Sequence, residues 1–76
     1  MTAYQKISDL AAALKREGLV SLSESLIQAH EGVFNGTELH MKWRSQVSAV
    51  MADPRLNPTT RAKAEALYRQ LDIELS

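Results

Sequence analysis

The sequence predicts an all-α fold, a small antiparallel helical bundle of four helices, either up-and-down or orthogonal, with residues 1–76 forming a single helical domain. Three observations carry that expectation. Apolar residues recur every three or four positions in four separate stretches, the period of a helix with one buried face. Glycine and proline (Gly18, Gly32, Gly36, Pro54 and Pro58) fall at the borders of those stretches, where helices stop and restart. No segment alternates apolar and polar residues between hairpin turns, as a strand would.

The first helix is expected to begin at Thr2, with Gln5 three residues on completing a capping box. Ala3, Ile7, Leu10 and Leu14 share one face, flanked by Tyr4 and Ala11. Lys15 and Arg16 place positive charge in the last turn, where it suits the helix dipole. Gly18 can adopt the left-handed conformation that ends a helix, letting Leu19 fold back on Leu14. Ser21 and Glu24 read as a second capping box, opening a helix with Leu22, Leu26 and Ala29 inside. Gly32 is expected to close that helix, with His30 in its final turn and Val33 against Ile27.

Phe34-Asn35-Gly36-Thr37 reads as a turn followed by an N-cap, with Glu38 at the positive end of the third helix. Leu39, Trp43, Val47, Val50 and Met51 line its core side. Asp53-Pro54 ends it, because proline pushes the preceding residue out of the helical region. Asn57-Pro58 starts the fourth helix: asparagine caps, and proline at the first helical position loses no needed hydrogen bond. Thr60, Ala64, Leu67, Tyr68, Leu71 and Leu75 are its expected inner face. Arg61, Glu65 and Arg69, spaced by four, suggest ion pairs on the outside.

Composition narrows the class of function. Hydrophobic residues make up 45% of the chain and charged residues 24%, which is ordinary for a globular protein. A chain of 76 residues buries a modest share of its surface, so good helix packing or a second subunit must supply stability. No cysteine is present, which removes disulfides and thiolate metal sites and fits a reducing, cytoplasmic setting. Nine basic residues balance nine acidic ones, so no strong field points to nucleic acid or an anionic membrane. Residues 1–38 lean acidic and residues 39–76 lean basic, too weakly to name a partner. The apolar run Leu10–Leu14 is too short for a bilayer span or a secretory signal.

No motif announces chemistry. His30 and His40 are the only histidines, and a zinc site needs three or four converging ligands. His30 has a sufficient role as a cation near a helix C-terminus, and His40 sits at the edge of the core stripe. No serine lies in a Gly-x-Ser-x-Gly elbow, and no glycine-rich phosphate loop exists. Asp72 and Glu74 project from different sides of the last helix, so they do not read as a catalytic pair. The chain is therefore expected to be non-enzymatic, with no cofactor and no small-molecule substrate. Ser25 to Val47 can be set out as a helix-turn-helix with Lys42 and Arg44 on the reading helix and Arg55, Arg61 and Lys63 nearby. The connection is too long for that motif, and specific DNA binders show a basic face. A small nucleic-acid-binding domain is the alternative reading.

Some apolar and small residues find no place in the core stripes. Met41, Ser45, Ser48 and Ala49 lie away from the core side of the third helix. Arg44 lies beside them, and Ala62, Ala66 and Ile73 form a second stripe on the fourth. Small residues with an adaptable methionine suit the approach of another helix. Met41, Arg44, Ser45, Ser48, Ala49 and Ile73 are therefore the candidate partner-binding residues. The segments Glu17-Gly18-Leu19, Asn35-Gly36-Thr37-Glu38-Leu39 and Trp43-Arg44 resemble those of small bacterial helical proteins, some of them immunity or accessory factors. The shared residues are helix caps, and no functional residue carries over. The function expected from the sequence is a protein-interaction module, accessory, regulatory or immunity-like, that binds a protein partner or itself through its third and fourth helices.

Overall fold

The computed structural model describes residues 3–29 and 35–75. They form four helices: α1 (Ala3–Arg16), α2 (Val20–Gln28), α3 (Gly36–Met51) and α4 (Pro58–Leu75). No strand occurs among the described residues. Helix α1 packs against α2 and α4, and α3 packs chiefly against α4 and less against α2. The four helices thus close a ring in chain order. Side chains joined across α1 and α4 (Lys6 to Gln70, Lys63 to Asp9) show that these two run antiparallel. The pairs His40–Glu74 and Arg44–Asp72 show the same of α3 and α4.

Inside the ring lies one apolar core. Ile7, Leu10, Ala11 and Leu14 come from α1, Leu26 from α2, Trp43, Val47 and Val50 from α3, and Ala64, Leu67 and Leu71 from α4. Leu19 and Leu56, one from each of two connections, are buried with them. Leu22, Ala29, Leu39, Met51 and Tyr68 pack against this core from its margin. The expected stripes of α1, α3 and α4 are observed except at their ends, where Tyr4 is 64% exposed and Leu75 lies outside the core. Trp43 is 4% exposed and is a core residue.

The connection between α1 and α2 has the expected Schellman ending. Gly18 stands at φ +83°. The Leu19 N–H donates to the Leu14 carbonyl at 2.9 Å and the Gly18 N–H to that of Lys15 at 3.1 Å, the two bonds that define the motif. The start of α2 differs from expectation. It begins at Val20, with Leu19 in the cap position and no side chain capping it, so Ser21 lies inside the first turn and is no cap. Leu19 already has its N–H bound to α1 and its side chain in the core. Its carbonyl accepts from Ser23 N–H at 3.1 Å, and α2 follows without room for a separate cap. Ser23 turns inward and donates through Oγ to the Ala11 carbonyl at 2.8 Å, which satisfies a hydroxyl buried in the α1–α2 interface.

Helix α3 also starts earlier than the sequence suggests. Asn35 caps it, its Oδ1 accepting from the Glu38 N–H at 2.8 Å, so Thr37 is already helical. Asparagine is the stronger cap of the two. Helix α4 begins as expected: Asn57 Oδ1 accepts from the Thr59 and Thr60 N–H groups at 2.8 and 3.3 Å. A further tie comes from α1, where Glu17 Oε1 accepts from the Asn57 N–H at 2.9 Å. Arg61 does not take up the expected pairing with Glu65. Its guanidinium donates to the Met51 and Asp53 carbonyls, because the unpaired carbonyls at the end of α3 attract a cation. The expectations placed on Thr2, His30, Gly32, Val33 and Phe34 lie outside the described residues.

Two glycine substitutions separate conformational need from mere smallness. Gly18→Ala, at positive φ, should lower stability by about 1 kcal/mol. Gly36→Ala has ordinary φ and open space around the new methyl, and should raise stability by about 0.5 kcal/mol through the unfolded state. Urea unfolding followed by circular dichroism checks both signs.

The turn after α3 carries a pH dependence. Asp53 accepts from the Arg55 backbone and side chain, and these bonds, led by the side-chain one, lower its carboxyl from 3.8 to about 2. A depressed carboxyl adds stability above its unfolded value and loses it as pH falls through the folded one. Asp53→Asn should therefore be less stable than wild type at neutral pH, with the difference closing between about pH 4 and pH 2. Acid titration of both proteins by circular dichroism tests this.

Candidate functional site

Helix periodicity places Met41, Arg44, Ser45 and Ser48 on one outer flank of α3, at spacings of three, one and three. With Tyr68 of α4 they line a shallow groove along the α3–α4 seam. Met41 is 53% exposed, and Ser45 and Ser48 are exposed beside it. Arg44 crosses the seam, its guanidinium donating to Asp72 Oδ1 at 2.8 Å. The structure thus brings four of the six sequence-derived residues together and adds Tyr68. Ala49 is exposed on α3 but does not line the groove. Ile73, 72% exposed, does not line it either. It follows Ala66 and Gln70 around α4 at helical spacing, and those residues border α1 through Lys6. Ile73 therefore belongs to a different flank of α4 from the groove.

A second constellation went unread in the sequence. Ala3, Tyr4, Leu39, His40, Trp43, Gln70 and Glu74 surround an open depression at the end of the bundle where α1 begins and α4 ends. A chain of polar contacts runs along its rim. Lys6 of α1 donates to Gln70 Oε1, and Gln70 Nε2 donates to Glu74 Oε1 at 3.0 Å. The other oxygen of Glu74 meets His40 Nε2 of α3 at 2.7 Å, while His40 Nδ1 lies 2.8 Å from the Gly36 carbonyl. The carboxyl of Glu74 is held below its usual range, first by the Gln70 hydrogen bond and then by His40, against the cost of its partial burial. The imidazole lies 5.4 Å from the Trp43 ring, and Tyr4 stands 6.3 Å from the same ring on its α1 side.

Both nitrogens of His40 lie within hydrogen-bond distance of a partner. No three histidine or acidic side chains among the described residues gather closely enough to hold a metal ion. Asp72 and Glu74, two residues apart on α4, both take partners from α3 and do not face each other as an acid–base pair. Four of the five cations considered for nucleic acid have partners: Arg44 with Asp72, Arg55 with Asp53, Lys63 with Asp9, and Arg61 with two carbonyls; Lys42 also takes part in an interaction. No described helix is long and apolar enough to cross a membrane. No family model, curated protein or solved structure matches the chain.

The two sides of α3 should respond differently to truncation. Trp43→Ala empties a buried site and should cost about 3–5 kcal/mol, enough to threaten a domain this small. Arg44→Ala removes a pair whose side chains are 34% and 56% exposed, and should cost no more than about 0.5 kcal/mol. Urea midpoints of the two variants provide the comparison.

Proposed function

We propose that this chain is a non-enzymatic interaction module that binds a protein partner or itself through α3 and α4. The observation that carries the reading is the groove of Met41, Arg44, Ser45, Ser48 and Tyr68, in which an exposed methionine stands among small side chains. Methionine, flexible and polarizable, adapts to irregular partner surfaces, and a small side chain such as serine permits close helix approach. Arginine and tyrosine are enriched at protein interfaces, where they supply both area and directed hydrogen bonds. The four α3 residues of the groove lie outside the core, since Trp43, Val47 and Val50 fill the inner side of α3, while Tyr68 packs against the core margin. A short domain of limited stability also gains from a partner that binds only its folded form.

The test is the solution mass of the wild-type chain and of Met41→Glu, followed by light scattering over a range of concentrations. The reading expects a mass that rises with concentration in the wild type and stays monomeric in Met41→Glu, with helicity equal in both. A monomer at every concentration in both proteins would overturn self-association. A DNA duplex offered at about 50 mM salt should remain unbound. Binding that weakened on replacing Lys42 and Arg44 would put the nucleic-acid reading in its place.

A further inference from the structure

The depression at the end of the bundle sets an aromatic pair beside one fixed anion. Tyr4 stands at its α1 edge, 64% exposed, with its ring 6.3 Å from that of the buried Trp43 and inclined to it by 57°. Glu74 is the only carboxylate among the residues that line it, and no lysine or arginine is among them. An ionised carboxylate offers about four acceptor sites. Gln70 Nε2 takes up one at 3.0 Å and His40 Nε2 another at 2.7 Å, so Glu74 is held in place with acceptor capacity to spare. Gln70, and after it His40, also keeps the carboxyl below its usual range, so its charge is present at neutral pH. We infer that this depression receives an arginine side chain of a partner protein, whose guanidinium pairs with Glu74 and lies against Tyr4.

The chemistry of the lining selects this occupant. Aromatic faces attract cations because the ring quadrupole is negative above its plane. A carboxylate beside such rings therefore suits a cation carried on an apolar stem, for which Ala3 and Leu39 supply apolar surface. Guanidinium meets these demands better than ammonium. It is planar and weakly hydrated, so it stacks on a ring while its N–H groups bond a carboxylate. The depression is open, whereas sites for small molecules enclose most of their ligand, so a side chain delivered by a larger partner fits it. Nearby cations are committed elsewhere: Lys6 donates to Gln70 Oε1 and Arg44 to Asp72. The depression shares no residue with the Met41 groove and is a second, separate contact point.

Titration with an acetylated, amidated glycine–arginine–glycine peptide, followed by NMR of the isotope-labelled chain, tests this. Trp43 is the only tryptophan, so its indole N–H gives one signal at the site, and the Gln70 side-chain amide gives a second. The arginine peptide should shift both signals saturably at millimolar concentration. The same peptide built with citrulline, the neutral isostere, should leave them in place, and a lysine version should bind several-fold more weakly. Glu74→Gln should weaken arginine binding by about fivefold, and Tyr4→Ala by about threefold. Both side chains are exposed, so circular dichroism should show unchanged helicity in the two variants. Met41→Glu should bind the peptide as the wild type does, so that this site and the groove fail separately. The absence of a saturable shift in the wild type, equal binding of the citrulline or lysine peptide, or undiminished binding by Glu74→Gln would overturn the proposal.

Discussion

The joint at Gly18 and Leu19 sets the geometry on which the remaining packing depends. With Gly18 in the left-handed region, α1 stops and α2 starts within three residues, and Leu19 serves both helices at once. Its N–H closes the end of α1, its carbonyl opens α2, and its side chain enters the core. A joint this short leaves α2 nowhere to go but back along α1, which brings Ser23 onto the Ala11 carbonyl. It also fixes where α1 ends, and so where Glu17 stands. From there Glu17 accepts from the Asn57 N–H at the start of α4. One turn therefore ties three of the four helices, and α3 is held chiefly by its packing against α4.

Apolar packing and polar contacts divide the work of folding here. The core is nearly free of polar groups; Ser23 and Thr60 are the buried exceptions among the described residues. Burial of leucine, valine and tryptophan supplies the driving force, but it is non-directional and tolerates sliding of one helix along another. The polar contacts lie at the rim, and exposed ion pairs contribute little to stability. Their effect is on register. Lys6–Gln70 and Lys63–Asp9 mark one alignment of α1 with α4, and His40–Glu74, Arg44–Asp72 and Arg61 on the α3 carbonyls mark one alignment of α3 with α4. Helix α4 takes part in both sets, which makes it the common reference of the bundle.

What was legible in the sequence follows the same division. Periodicity and the breaks at Gly18, Pro54 and Asn57-Pro58 are local signals, and they located the four helices and nearly all of the core. The caps at Ser21 and Thr37 were misread because each was judged as an isolated side chain. At Ser21 the Schellman closure had already drawn Leu19 into place, and at Thr37 Asn35 offered a better cap two residues earlier. Arg61 was misassigned because spacing along one helix says nothing of carbonyls at the end of another. The four groove residues on α3 were readable together since one helix carries them. Ile73 could not be sorted, because which flank of α4 faces α1 depends on tertiary register. For the same reason the His40–Glu74 contact, spanning 34 residues, leaves no trace in local spacing.

The two sites differ in what they ask of the fold. The Met41 groove is made mostly from one helix, so its shape depends little on small motions between helices. The rim at His40 is made from three helices and exists only while their register holds. A contact that depends on three elements reports on their alignment. Arg44 links the two, since it lies one helical turn from His40 and borders the groove while bound to Asp72.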